Sequence, residues 1–202
     1  MARTAAKPAR RRAKQARAQQ TIAVVLEAAA QVLQREEYAG ATTNRIAKRA
    51  GVSVGTIYQY FADKEQIFDT LIGREIEGLL GLLQGVAPDP DESIADGLRH
   101  LLHLLVRARP DAPVLYRSLE HVPNALFRRR VAEARAGVID WVRGFLASHR
   151  SEIRVPDLDV AAFVVVAAAE GVAINASPEF YRARGADELA MVFTRYLTGS
   201  GG

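Results

Sequence analysis

Residues 41–64 read ATTNRIAKRAGVSVGTIYQYFADK, and this stretch decides the fold. Thr42 and Thr43 offer hydroxyls able to cap a short helix over residues 44–50. Gly51 stops that helix, and Ser53 caps another that runs to about residue 60. The pair can only be stable with Ile46, Ala47, Ala50, Val52, Ile57 and Phe61 turned inward. What is left outward is small or hydrogen-bonding: Thr43, Asn44, Ser53, Val54, Gly55, Thr56, Tyr58, Gln59 and Tyr60, flanked by Arg45, Lys48, Arg49 and Lys64. A surface of hydroxyls, amides and cations around a slim helix start suits a duplex, because such a helix can enter the major groove while its flanks hold phosphate.

Working outward, Ile22, Val25, Leu26, Ala29, Val32 and Leu33 recur at spacings of three and four. They predict an amphipathic helix over residues 19–35. Asp63 followed by Gln66 reads as a capping box opening a fourth helix to about residue 85, with Ile67, Phe68, Leu71, Ile72, Ile76, Leu79 and Leu80 on its apolar side. Gly73, Gly78, Gly81 and Gly85 lie along it, either for close packing of another backbone or as a soft connector. The linker Ala87-Pro88-Asp89-Pro90-Asp91 follows. Further helices are expected over residues 93–108, 112–121, 124–149, 158–176 and 186–197, with no strand. Val160 to Ile174 is the most apolar stretch, but Glu170 interrupts it, so no membrane span is expected.

Charge is laid out unevenly. The 202 residues carry a net +4, with seven cations and no acid between Met1 and Arg17. Residues 1–75 hold 13 cations against 7 acids, and the remainder holds 14 against 16. One end of the chain is thus equipped to meet a polyanion. Residues 1–17 read as a basic, disordered arm that either is only solvated or also touches phosphate. The absence of cysteine excludes disulfides, thiolate chemistry and Cys-ligated zinc. No nucleophile–base pair, phosphate loop or metal-ligand spacing is present, so no enzyme activity, cofactor or metal is expected. A cytoplasmic location is expected.

The run G-V-S-V-G-T-I-Y-Q-Y-F-A-D-K-E, preceded by T-T-N-R-I-A-K-R-A, resembles the DNA-binding region of the tetracycline-repressor (TetR) family over about residues 20–72. The resemblance implies an all-α fold: a three-helix, helix-turn-helix DNA-binding domain at residues 18–64 and a larger helical ligand-binding and dimerisation domain at 65–202. It implies that Thr43 contacts phosphate, that Asn44 reaches a base edge, and that Val54 and Gly55 enter the groove. Thr56 and Tyr60 match backbone contacts, Tyr58 a phosphate or thymine contact, and Lys64 a phosphate anchor. Gln59 stands beside Tyr58 as a possible reader, and Ser53 belongs to the same surface.

The family further implies a homodimer through the last two long helices, a palindromic double-stranded DNA operator, and release by an unidentified small molecule. Candidate walls of a ligand pocket are His103, Tyr116, Phe127, Trp141, Phe145, Glu170 and Asn175, with Arg107 and His121 beside them. Core packing for Trp141, an ordinary partly buried position for His103 and His121, and a hydrogen-bonded place in the dimer seam for Glu170 and Asn175 are the alternative readings. The expected function is a ligand-responsive transcriptional regulator, most simply a repressor; the alternative is an architectural DNA-binding protein without regulation.

Overall fold

A computed structural model describes residues 6–87, 89, 91–119, 122 and 125–199, the side chains of 6–11 and 125–128 excepted. Among these residues the regular structure is entirely helical: α1 (Ala6–Gly40), α2 (Thr43–Ala50), α3 (Val54–Tyr58), α4 (Lys64–Gln84), α5 (Ile94–Ala108), α6 (Ala112–Leu119), α7 (Ala125–Ser148), α8 (Leu158–Asn175), α9 (Pro178–Phe180), a π-helical turn (Tyr181–Gly185) and α10 (Ala186–Thr198). The chain divides into two compact units, residues 1–72 and 73–202. The division falls inside α4 rather than at its start, because Ile67, Phe68, Leu71 and Ile72 are buried in the first unit.

The first unit is built on α1. Val25, Leu26, Ala29, Val32 and Leu33 are buried as the spacing predicts, while Ile22 is half-buried. The helix is longer at both ends than the apolar stripe. Residues 6–17, expected to be disordered, continue it on the high helix propensity of Ala, Arg, Lys and Gln. Towards the other end Glu37 leaves the helical region at φ 55°, a conformation unfavourable for a side-chain-bearing residue. The break turns Tyr38 inward, where its ring meets Phe68 at 5.4 Å.

In the second unit α5 packs against α10, and α8 packs against both α6 and α7. Leu98, Leu102, Phe145, Leu146, Phe193 and Leu197 belong to its core. The apolar residues of α10 divide between two faces. Leu189, Phe193 and Leu197 point inward, whereas Met191, Val192 and Tyr196 are exposed. Residues 178–185 are also helical where none was expected: the Ser177 hydroxyl accepts from the Phe180 N–H at 3.1 Å, and Pro178 fits the first turn. By length and composition α8 is able to cross a bilayer, with 18 residues of mean hydropathy 1.8, despite Glu170. Ala161, Ala162, Val165 and Val166 are buried, but Val160, Phe163 and Val164 on the same helix face solvent.

The glycines of α4 do not hold another backbone close. A Cβ on Gly81 would meet nothing within 4 Å, and one on Gly78 would meet only the tip of Arg109 at 3.8 Å. Gly81→Ala is therefore expected to stabilise the protein by about 0.5–1 kcal/mol through helix propensity, read as a higher midpoint in thermal or urea unfolding.

Candidate nucleic-acid interface

Sequence and local geometry set the outward face of α2 and α3. Thr42, not Thr43, caps α2: its hydroxyl accepts from the Arg45 N–H at 3.3 Å. Gly51 takes the left-handed φ of 69° that a side chain would strain. Ser53 Oγ accepts the Thr56 N–H at 3.0 Å and lies 2.8 Å from the Thr56 hydroxyl. Ile46, Ala47, Ile57 and Phe61 are buried, and Ala50 and Val52 are half-buried.

The other side chains read as outward are exposed or half-buried. Asn44, Ser53, Gly55 and Gln59 are exposed, and Thr43, Val54, Thr56 and Tyr60 are half-buried. Tyr58 stands 57% exposed, a large aromatic that no packing requirement holds there. Ser53 is mainly occupied in capping, so its hydroxyl is shared with Thr56 rather than free for a ligand.

Several cations have internal partners. Arg45 pairs with Glu36 and donates to the Gly40 carbonyl at 3.2 Å. Arg49 Nε donates to Gln31 Oε1 at 2.5 Å. Both strap α2 to α1. Lys64, expected as a phosphate anchor, donates to the Tyr38 carbonyl at 3.1 Å and sits 4.1 Å from the centre of the Tyr38 ring. It joins the start of α4 to the end of α1. The two residues are 26 positions apart, and nothing in the sequence pattern pairs them. Burial, and then Glu65 and Asp63, raise the Tyr38 phenol above its ordinary pKa, which keeps it neutral.

Among the described residues, most of the candidate pocket side chains in the second unit have separate internal partners. His103 Nε2 lies 2.9 Å from Asp187 Oδ1, which fixes α5 to the start of α10. Trp141 stacks on Phe145 at 5.7 Å, and Phe145 meets His149 at 4.7 Å. Glu170 pairs with Arg135 at 3.0 Å, and Asn175 donates to the Gly171 carbonyl one turn back at 2.9 Å. His121 and the Phe127 side chain lie outside the described residues. A cavity of about 380 Å³ opens between the α4–α5 linker, α5 and α7, lined in part by Val86, Glu92, His100, Leu104, Arg107 and Phe145. Among the described residues of the expected wall, Phe145 and the neighbouring Arg107 reach it.

A different polar group forms inside this unit. Arg109 donates to both the carbonyl and the carboxylate of Glu75, each at 2.7 Å, and lies 5.5 Å from the centre of the Tyr116 ring. Its Nε is buried without a hydrogen-bond partner. Burial raises the pKa of Tyr116 against the pull of Arg109. Burial also pushes Tyr181 up to about 12, with Tyr116 adding to the rise and Arg109 opposing it. Only Tyr116 of this group was expected. Arg109 and Glu75 are 34 positions apart and on no common stripe, so only the tertiary fold brings them together.

Burial raises the Glu170 carboxyl above its ordinary value, and Arg135 offsets part of the rise. A raised folded-state pKa means that the carboxylate form is disfavoured by folding. Its contribution to stability therefore falls as pH rises through the unfolded value of 4.5 towards the folded one. Glu170→Gln is expected to raise the melting temperature slightly at pH 7, by less than about 1 kcal/mol equivalent because the side chain is 40% exposed and screened. The difference between the two proteins should vanish below about pH 4.5.

Comparison with known proteins gives the same division. The family described as "Bacterial regulatory proteins, tetR family" matches residues 25–71, and "Tetracyclin repressor-like, C-terminal domain" matches residues 93–197. The nucleoid occlusion factor SlmA of Vibrio campbellii is 31% identical over 96 residues, covering 47% of this chain and 48% of that protein. The transcriptional repressor AcnR of Corynebacterium efficiens is 26% identical over 117 residues, covering 54% and 62%. The chain thus spans less than two thirds of either relative's length. Among solved structures, a transcriptional regulator of Rhodococcus sp. Rha1 superposes with a TM-score of 0.73 at 18% identity, covering 87% of this chain and 95% of that one. FadR of Bacillus subtilis, solved with stearoyl-CoA, gives 0.64 at 21% identity, covering 86% and 98%.

Proposed function

Since the chain belongs to the TetR family of bacterial transcriptional regulators, we propose that it is a ligand-responsive repressor that binds a palindromic operator as a homodimer. The observation that carries this reading is the face of α2 and α3, where Tyr58 is 57% exposed beside exposed Asn44 and Gln59. Asn and Gln are the side chains able to make paired bonds to adenine. Tyr58 can reach phosphate or a thymine methyl, Thr43, Thr56 and Tyr60 phosphate, while Val54 and Gly55 leave room for the groove wall. Lys64 keeps ammonium protons beyond the one given to Tyr38, so it serves both a phosphate and the α1–α4 junction.

Dimerisation is supported by the apolar side chains that a single copy leaves in water on the last two long helices. They are Val160, Phe163 and Val164 on α8, and Met191, Val192 and Tyr196 on α10. A twofold partner covering them would set two α3 helices about one DNA turn apart, or a multiple of it. For the inducer, the Arg109–Tyr116–Tyr181 group supports a pocket in the second unit: a buried guanidinium nitrogen without an acceptor is the polar anchor a mostly apolar site needs. Ligand and operator then oppose each other by linkage, with α4 as the element that carries the change.

Selection of duplexes from a random pool tests the proposal. A palindrome bound at least about a thousandfold more tightly than random duplex is expected. Uniform binding to every sequence would favour a non-regulatory architectural protein instead.

A further inference from the structure

We infer that the amino-terminal extension of α1 is a second, sequence-independent DNA contact: a helical rail that lies along phosphates outside the half-site read by α3. Three observations carry it. The helix begins at Ala6, far ahead of the first buried core residue, Val25. At 1.5 Å per residue, the 19 residues from Ala6 up to Val25 project about 28 Å. No acid occurs before Glu27, and Arg12, Lys14 and Arg17 are exposed.

The second observation is register. Eighteen residues are five turns at 3.6 residues per turn. Positions 7, 10, 11 and 14 therefore share a face with positions 25, 28, 29 and 32. The latter are Val25, Ala28, Ala29 and Val32, all buried in the first unit. The former are Lys7, Arg10, Arg11 and Lys14. The face that packs on the helix-turn-helix is thus continued as a cationic stripe.

The third is direction. Arg45 meets Glu36 and Gly40 near one end of α1, and Arg49 meets Gln31 further back. Hence α2 runs antiparallel to α1, and the Gly51–Ser53 turn delivers α3 on the side towards which the extension projects. The remaining positions of residues 6–17 are Ala6, Pro8, Ala9, Arg12, Ala13, Gln15, Ala16 and Arg17, which give no apolar face able to enter a bilayer. Charge complementarity and continuity with the α3 surface make duplex phosphate the occupant.

Salt titration tests it. Binding to a 40-bp random-sequence duplex and to a pool-selected duplex is measured for the full chain and for Lys7→Gln/Arg10→Gln/Arg11→Gln/Lys14→Gln, where glutamine keeps helix propensity. Each phosphate contact contributes about 0.9 to the slope of log K against log salt. The slope should fall by at least about 2 on both duplexes, while the preference for the selected one is unchanged. Arg12→Gln, off the stripe, should lower it by less than about 1. A slope unaltered by the four substitutions overturns the inference. Hydroxyl-radical footprinting of the unsubstituted chain gives a second readout: protection must extend past the half-sites, and protection that ends with them also overturns it. Failure to select any preferred duplex would instead strike at the operator reading, and the random-duplex slope would still decide the rail.

Discussion

Tyr58→Ala is expected to abolish selective operator binding while leaving the fold and the dimer intact. The side chain is 57% exposed, so its removal should change stability by no more than about 0.5 kcal/mol. In the proposed dimer–operator complex its loss would be felt twice, once in each half-site. At about 1–3 kcal/mol for each good contact, the dimer loses about 2–6 kcal/mol, or roughly 30-fold to more than 10⁴-fold in affinity. Fluorescence anisotropy on a pool-selected duplex reads the loss, with circular dichroism and size-exclusion chromatography as the controls. Retained affinity would mean that the phenol faces solvent in the complex as well.

The second large effect is expected from Val192→Glu. Val192 is 53% exposed on α10, and Phe163 is 52% exposed on α8. A carboxylate in the centre of a twofold seam is buried twice and brings two like charges together. The dimer dissociation constant should rise by at least about a thousandfold, equivalent to about 4 kcal/mol. The monomer should remain helical, because in a single copy the side chain already faces water. Analytical ultracentrifugation across a dilution series checks this, and operator binding should be lost with the dimer. Phe163→Glu should do the same from the other helix. A variant that stays dimeric would place the seam elsewhere.

The first unit was largely legible because its rules are local. The Ser53 cap, the left-handed Gly51 and the Asp63–Gln66 pairing at the start of α4 all follow from residues within four positions of one another. Even so the helix Gln66 makes its return bond to the Ala62 N–H rather than to Asp63, a detail that spacing does not reveal. The bond from Lys64 to the Tyr38 carbonyl was not legible, because that carbonyl lies 26 positions away and every residue type has one.

The second unit resisted for the same reason on a larger scale. His103, Glu170 and Asn175 are conspicuous polar residues in apolar runs, but Asp187, Arg135 and the Gly171 carbonyl respectively satisfy them. Periodicity can say that a polar side chain sits on a buried stripe; it does not say which distant charge will meet it. Arg109 and Glu75 are the converse case, unremarkable in sequence and joined only by the fold. The π-helical turn at Tyr181–Gly185 was missed because it has no local signature comparable to a cap.

If the exposed strip of Val160, Phe163, Met191 and Val192 is the seam of the proposed dimer, it also sets how the protein responds to its own abundance. Where chains are scarce, assembled pairs grow as the square of their number. Halving synthesis then removes about three quarters of the active species rather than half. A promoter governed by such a pair would switch over a narrower span of expression than one governed by a lone chain.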